Sequence, residues 1–371
     1  MNLNDIPIID HHAHPILKPE ALNDINDFTF WFTESSEIQV YSHQIKSSIF
    51  FKQAMRWISE DLLSCNNNIS DIFSSRIKKN HDIYTNTIFK KSNITNLMCD
   101  FGFPRSGTYN LDEMEKITSI PIKNIVRIET IAEEIILSSN TMEDFTESFT
   151  ECLLSNINNQ CIAFKTIIAY RTGISLNNHS KDILSKEFKR VKTENNLNIK
   201  LNSKPLNEHI LKIALKIAEK YKLPFQFHTG FGDNDVDLIK ANPLKLKPII
   251  EKYKTPIIIL HAGWPYYREA AFLCSIYSTV WLDISLAVPH ITTGIYNLLL
   301  EVAGIAPLEK ILFATDASGL PELYWIACKS IRIELEKVLK KLVSDKYINN
   351  NGAYAAAENI LYKNSRKVYC V

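Results

Sequence analysis

His12 and His14 lie two positions apart, and only Asp10 and His11 separate His12 from the apolar run at residues 6–9. The run predicts a short strand, and side chains two positions apart leave the same face of a strand. Two imidazoles on one face form half of a zinc-type site, because histidine is the commonest nitrogen ligand of divalent metals. A His-x-His pair also occurs without a metal, so the remaining ligands must come from elsewhere in the chain.

Three further residues share one pattern, in which an apolar run precedes the residue and small residues follow it: His228, His261 and Asp316. Other ionisable residues also fall at the ends of apolar runs: Asp100, Arg127, Glu129, Lys165 and Asp283. Unpaired ionisable groups are costly beside a buried core, and a divalent metal would satisfy them. The other histidines we expect to be surface or structural residues: His43, His81, His179, His209 and His290.

The elements that must position these residues alternate regularly between strand and helix. Candidate strands are Pro7–Asp10, Asn96–Asp100, Asn124–Glu129, Cys161–Ile168, Pro224–His228, Pro256–His261, Val280–Asp283 and Lys310–Thr315. Eight such strands with right-handed helical crossovers predict a (β/α)8 TIM barrel, with a doubly wound open sheet as the alternative. The polar residues at the carboxyl ends of the strands favour the barrel, because barrel enzymes place their chemistry there.

One connection is much longer than the others, and it spans residues 18–93 between the first two strands. Helical periodicity in Ser42–Leu63 and Ile69–Phe89 predicts a helical insertion. Such an insertion could form a lid over the barrel mouth or a peripheral decoration. Further helices are predicted at Leu206–Tyr221, Leu244–Lys254, Glu322–Leu342 and Ala353–Val368, with Gly352 as a break before the last. We expect residues 1–371 to form a single domain.

Composition excludes several classes of protein. The chain has 371 residues, 46% of them hydrophobic, and a net charge of +1, which argues against disorder and against a nucleic-acid partner or an anionic membrane. There is no apolar run of about 18 residues and no glycine-rich phosphate loop. The seven cysteines show no Cys-x-x-Cys spacing, which is typical of reduced thiols. We expect a soluble cytoplasmic protein with a small-molecule substrate, and the sequence is compatible with a homodimer.

Six segments together resemble the amidohydrolase superfamily, and more narrowly its amidohydrolase-2 branch. That branch includes the N-terminal domain of FluG and the nodulin–glutamine synthetase fusions of plants. The segments span residues 9–14, 126–130, 164–173, 226–233, 260–266 and 314–318. Two departures are mild, since Trp264 and Thr315 stand where tyrosine and serine are expected.

The resemblance implies a metal-dependent enzyme and a role for each strand-end residue. His12, His14 and His228 would hold a divalent metal, most simply zinc, with His261 as a further ligand or a partner of the reacting oxygen. Asp316 would contact the metal and its bound water and act as the general base. Such a water has a pKa lowered to about 7, so that a carboxylate can take its proton at neutral pH.

Four further residues are candidates for binding substrate or metal, and three of them have an alternative role. Lys165 would bridge two metals if it were carboxylated, as in two-metal members of the superfamily, or it would pair with Glu129 or a substrate carboxylate. Arg171 would clamp an anionic substrate group or pair with an acidic neighbour. Glu129 is a candidate for substrate binding. Asp233 could bind a substrate amine, or it could be a turn residue.

The leading function is hydrolysis of a C–N bond, with an amide or a γ-glutamyl compound of a small carboxylate as substrate. A non-oxidative decarboxylase would use the same ligands and is the closest alternative. An inactive barrel that acts as a binding protein is disfavoured, because a scaffold has no need of the complete ligand set.

Overall fold

The computed structural model describes residues 1–103, 106–194 and 200–371. Within these residues the strands form one parallel sheet of eight, ordered as in the chain. They are β1 (Ile8–Ala13), β2 (Ile94–Asp100), β3 (Ile122–Arg127), β4 (Ala163–Thr166), β5 (Phe225–Phe227), β6 (Ile257–Ile259), β7 (Val280–Asp283) and β8 (Ile311–Leu312). A doubly wound sheet would show a reversal of strand order, so this consecutive order confirms the (β/α)8 barrel.

Helices connect the strands throughout the described residues. Between β1 and β2 lie α1 (Ile25–Phe30), α2 (Ile38–Ser42), α3 (Ile49–Trp57), α4 (Ile69–Ile77) and α5 (His81–Ser92). Then follow α6 (Leu111–Thr118), α7 (Ile128–Ser138), α8 (Met142–Asn158), α9 (Ile168–Arg171), α10 (Lys181–Glu194), α11 (Lys204–Tyr221), α12 (Lys247–Lys252) and α13 (Tyr267–Ile276). The last are α14 (Ala287–His290), α15 (Ile295–Ala303), α16 (Pro321–Ser344), α17 (Asn350–Glu358) and α18 (Asn364–Tyr369). No described helix is both long enough and apolar enough to span a membrane.

The chain divides into two compact units. Unit 1 comprises residues 1–122, 232–234 and 284–371, and unit 2 comprises residues 123–231 and 235–283. Unit 1 therefore carries β1, β2, β8 and the long insertion, whereas unit 2 carries β4 to β7 and nearly all of β3. The expectation of a single domain stays a prediction.

The insertion helices of unit 1 pack on the start of α16. A buried aromatic cluster joins Phe28, Phe51 and Trp57 of the insertion to Trp325. Polar contacts reinforce this packing, since Arg76 Nε donates to Glu322 Oε1 at 2.6 Å, and both side chains are almost fully buried. A buried charge requires such a partner, because desolvation of an unpaired ion is costly. The helical segment is thus an integral part of unit 1, and its role as a lid stays a prediction.

The predicted helices of the insertion are each interrupted by a polar cap. The Ser48 hydroxyl accepts a hydrogen bond from the Phe51 amide at 3.1 Å, so a new helix begins inside the predicted span Ser42–Leu63. The Asn80 side chain accepts from the Ile83 amide at 3.1 Å and likewise starts α5. Serine and asparagine satisfy the amides of a first helical turn that lack partners, and apolar periodicity does not register this effect.

Several predicted boundaries are wrong, and three of them concern residues singled out in the sequence or a strand end with a local cause. Glu129 lies in the first turn of α7 and not at the end of β3. Gly352 lies inside α17, because Asn349 caps that helix by accepting from the Gly352 amide at 2.8 Å. Strand β8 ends at Leu312, since the Phe313 amide donates to the Ile360 carbonyl at 3.2 Å instead of continuing a ladder.

His209 on α11 provides a test of packing within unit 2. Its Nε2 lies 3.0 Å from the Thr146 hydroxyl, and burial, with the charges of Lys212 and Lys216, lowers the pKa of His209 to about 4. Below pH 6.5 His209 therefore binds a proton in the unfolded chain, whereas in the folded chain it binds this proton only near about pH 4. The free energy of unfolding is therefore unaffected by protonation of His209 above pH 6.5, and it decreases as the pH falls from 6.5 towards about 4.

We expect His209→Gln to remove this dependence. Between about pH 7.5 and about pH 5 the wild type should lose about 1–2 kcal/mol more than the variant, a value reduced for partial solvent screening. Urea unfolding at the two pH values measures the difference. His43→Gln at an exposed position is the control and should retain the wild-type loss. Equal losses in the His209 variant and the wild type would contradict the assignment.

Candidate metal centre

Unit 1 brings His12, His14 and Asp316 together. Asp316 Oδ1 lies 3.1 Å from His12 Nε2 and 3.5 Å from His14 Nε2. The two imidazole rings meet edge to face with their centroids 5.4 Å apart. All three side chains are nearly buried, with exposed fractions of 0% for His12, 10% for His14 and 9% for Asp316. Two nitrogens and one carboxylate oxygen thus converge in a region of low dielectric constant.

The hydrogen bonds of His14 show which of its nitrogens is available as a ligand. His14 Nδ1 lies 3.2 Å from the Asp100 carbonyl and 3.0 Å from the Phe103 carbonyl. A carbonyl oxygen only accepts, so Nδ1 carries the proton of the neutral ring and Nε2 carries the lone pair. That lone pair faces Asp316 Oδ1. Two electron-rich atoms at this distance repel each other unless a cation or a second ring proton lies between them, so the donor set fits a divalent metal.

The backbone around these ligands is fixed by Asp10. Its carboxylate accepts hydrogen bonds from the Thr315 amide at 2.9 Å and the Thr315 hydroxyl at 2.5 Å. The Asp316 amide in turn donates to the His12 carbonyl at 2.9 Å. Burial raises the pKa of Asp10 to about 7, against the hydrogen bonds from Thr315, which lower it. Asp10 therefore links β1 to the segment after β8, from which Asp316 projects.

Asp316 and His261 both have left-handed backbones, with φ of 50° and 63°. Residues other than glycine rarely adopt this conformation, which costs about 1–3 kcal/mol and clusters at functional sites. This conformation therefore occurs at one candidate residue of each unit, Asp316 in unit 1 and His261 in unit 2.

Glu34 of the insertion interacts electrostatically with Asp316, although no sequence pattern indicated it. Its Oε1 lies 3.5 Å from His290 Nε2. Burial, followed by the charges of Asp233 and Asp316, raises the pKa of Glu34 to about 8. Asp233, a predicted substrate residue, is itself exposed. No periodicity distinguished Glu34, because its position depends on how the insertion folds back within unit 1.

Unit 2 pairs the other two candidate histidines. His228 Nδ1 lies 3.0 Å from His261 Nε2, and the ring centroids are 4.5 Å apart. The His261 amide donates to Asp283 Oδ2 at 3.0 Å, which holds the turn after β6 against the end of β7. Thr229 adds a second tie between β5 and β6, since its hydroxyl donates to the Leu260 carbonyl at 2.8 Å. Both histidines are almost fully buried.

Three further candidates lie on β4 or near its ends. Lys165 is 3% exposed and stands in register with Arg127 of β3 and Gln226 of β5. Glu129 Oε1 accepts from the Thr166 hydroxyl and from the Ile167 amide at 3.1 Å, which fixes the end of β4. Burial raises the pKa of Glu129.

Arg171 follows β4 on α9 and contacts two carboxylates. Arg171 Nη2 lies 3.5 Å from Glu133 Oε1, and Arg171 Nη1 lies 4.0 Å from Asp235 Oδ2. This geometry agrees with the alternative in which Arg171 pairs with acidic neighbours.

Comparisons with known proteins show what the chain is similar to. The amidohydrolase-2 family model, described as amidohydrolase, matches residues 196–370. The chain is similar to the protein FluG of Emericella nidulans, with 27% identity over 98% of this chain and 45% of FluG. The chain therefore spans about half the length of this curated relative.

Two solved structures show the same architecture. A Lactobacillus casei protein, provisionally described as a metal-dependent hydrolase, is 25% identical, with a TM-score of 0.90 over 99% of this chain and 96% of that one. A uronate isomerase from Thermotoga maritima is 11% identical, with a TM-score of 0.69 over 99% of this chain and 95% of that one, which is a likeness of fold alone. The family match over residues 196–370 and these similarities support an enzyme of the amidohydrolase superfamily, in its amidohydrolase-2 branch.

Proposed function

We propose that this protein is a metal-dependent hydrolase that cleaves the C–N bond of an amide in a small carboxylate-bearing substrate. The observation that carries the proposal is the approach of His14 Nε2 and Asp316 Oδ1 beside His12 Nε2, which requires a cation or an extra proton. The resemblance to the Lactobacillus casei protein supports metal dependence. The order of the candidate residues along the barrel strands supports His228 as a further ligand, with His261 beside it.

The bound metal would be divalent, with zinc as the first candidate, and would supply a Lewis acid that polarises a carbonyl and acidifies water. Asp316 accepts the proton of the attacking water, whose oxygen forms the new bond to the carbonyl carbon. As the C–N bond breaks, Asp316 returns this proton to the leaving nitrogen. Near burial of the Asp316 carboxylate excludes competing water, and its short distance to His12 fixes the carboxylate orientation.

Substrate recognition is assigned to residues outside this centre. We propose that Asp233 and Arg171 contact charged groups of the substrate. We also propose that Glu129 shapes the substrate-binding surface at the end of β4. Asp233 is exposed and can receive a cationic group, whereas the guanidinium of Arg171 would have to share its contacts with Glu133 and Asp235. γ-Glutamyl amides are the first substrates to test, because they combine an amide with a carboxylate.

A substrate screen tests the proposed reaction directly. Zinc-loaded protein is incubated with γ-glutamyl amides and, in parallel, with aromatic carboxylic acids, and released amine and carbon dioxide are measured. The proposal predicts amine release from at least one amide and no carbon dioxide from the acids. Carbon dioxide without amine would replace it with a decarboxylase, and neither product in a metal-loaded, folded protein would support an inactive barrel.

The chemical state of Lys165 distinguishes a one-metal site from a two-metal site. We expect Lys165→Ala and the volume-matched Lys165→Met to keep the metal and to raise KM about 10- to 100-fold, the effect of losing one charged hydrogen bond to substrate. Metal analysis with steady-state kinetics measures both quantities. Loss of one of two metals, with partial recovery on adding short carboxylic acids, would instead show a carboxylated Lys165 that bridges two ions.

A further inference from the structure

Tyr170 on α9 is placed against one of the candidate ligands. Its hydroxyl lies 2.9 Å from His228 Nδ1, and its ring lies over the imidazole with centroids 4.0 Å apart. Tyr170 is half-buried, whereas His228 is 3% exposed, so the tyrosine forms the more accessible side of this pair.

The protonation of His228 follows from its other nitrogen. His228 Nε2 lies 3.1 Å from the Phe231 carbonyl, which only accepts hydrogen bonds. Nε2 therefore carries the proton of the neutral ring, and Nδ1 carries the lone pair. Tyr170 must then be the donor in its contact with Nδ1.

The loop that supplies the Phe231 carbonyl is held tightly. The Phe231 amide donates to the Trp264 carbonyl at 2.8 Å. A Cβ atom on Gly230 would lie 2.2 Å from that same carbonyl oxygen, and φ of Gly230 is +69°, so only glycine permits this approach. The orientation of His228 is thus fixed by the backbone, and Nδ1 presents the lone pair through which His228 would hold a metal.

Within the described residues, His261 Nε2 also lies 3.0 Å from His228 Nδ1, so Tyr170 shares this lone pair with His261. Coordination of a metal through Nδ1 would use the lone pair. The Tyr170 hydroxyl would then lose this acceptor and could donate its proton elsewhere, beside the ligand that holds the metal.

We propose that Tyr170 is a further catalytic residue, whose hydroxyl donates a hydrogen bond to the substrate carbonyl oxygen as negative charge develops on it. This proposal rests on the proposed function, in which His228 is a metal ligand. The hydroxyl moves no proton to or from the substrate and breaks no bond. It stabilises the oxyanion more than the neutral carbonyl, which is the requirement for lowering the barrier.

Tyr170→Phe tests the proposal because it keeps the ring contact with His228 and removes only the hydroxyl. We expect kcat/KM of the zinc-loaded enzyme to fall by about 10²- to 10³-fold, as for loss of one oxyanion donor. Zinc affinity, measured by competition with a chelator, should stay equal or increase, because the variant lacks the hydroxyl that competes with zinc for His228 Nδ1. Tyr354→Phe at an exposed position is the control and should change neither quantity.

The opposite pattern would overturn the proposal. If Tyr170 only orients His228 for coordination through Nε2, the variant should bind zinc about 10- to 100-fold more weakly, as for other partners of ligands. Unchanged kcat/KM in Tyr170→Phe would also exclude the proposed role.

A binding measurement separates this proposal from the proposed function. Methylphosphonate, a tetrahedral oxyanion, should bind zinc-loaded wild type at least about tenfold more tightly than zinc-loaded Tyr170→Phe, whether or not any amide is hydrolysed. If this difference appears but no amide is cleaved, the assigned reaction is wrong and the Tyr170 contact stands. If amides are cleaved and the two proteins bind methylphosphonate equally, the Tyr170 proposal is wrong.

Discussion

Asp316→Asn should lower kcat/KM of the metal-loaded enzyme by about 10²- to 10⁴-fold, the contribution of a general base. Asparagine preserves the size of the side chain and one oxygen near His12 and His14, but it cannot accept the proton of an attacking water. Metal content should stay close to that of the wild type, because the histidine ligands remain. Steady-state kinetics together with metal analysis of the same preparation provide the measurement.

Asp345→Asn is the matched control for this change. Asp345 is exposed at the end of α16, so the same substitution there should leave both activity and metal content unchanged. Near-normal turnover in Asp316→Asn would show that another group handles the proton. Loss of the metal from that variant would make Asp316 primarily a ligand.

Combined replacement of His12 and His14 by alanine should strip the metal and reduce activity to the level of metal-free protein. Both Nε2 atoms approach the same carboxylate oxygen, so the double variant removes two of the three atoms that converge in unit 1. The proposed ligands that remain, Asp316 and His228, cannot replace two facing imidazoles. Elemental analysis after dialysis against a metal-free buffer measures the loss.

The single variant His43→Ala controls for the loss of a histidine from the surface, since His43 is exposed. It should retain the full metal content. The double variant must also unfold in urea near the metal-free wild-type midpoint, which separates loss of a ligand from loss of the fold. A double variant that keeps its metal would place the centre elsewhere.

The order of strands and helices could be predicted because each strand is short, apolar and β-branched, and amphipathic stretches separate the strands. The ends of the elements were less predictable. At β3 and in the insertion, helix starts depend on backbone hydrogen bonds and caps, such as that of Asn80, which act over three residues and leave no periodic signal.

His12 and Asp316 could be proposed as site residues from the sequence because each is a chemically distinctive residue that follows an apolar run. The site was not predictable where the partner of a residue is distant in sequence. Asp10 is adjacent to the histidine motif, yet its partner Thr315 is 305 residues away. Glu34 lies near Asp316 only because the insertion folds within unit 1, and tertiary packing of this kind has no local signature.

Metal dependence of hydrolysis is the central claim, and one titration tests it most directly. Wild-type protein is stripped with a chelator, shown to remain folded, and titrated with zinc while amine release from the best amide substrate is followed. The account predicts no hydrolysis without metal and full activity at about one or two equivalents of zinc, the stoichiometry of one-metal and two-metal sites. Stripped protein that hydrolyses the amide at the full rate, or protein that binds no zinc, would contradict the account.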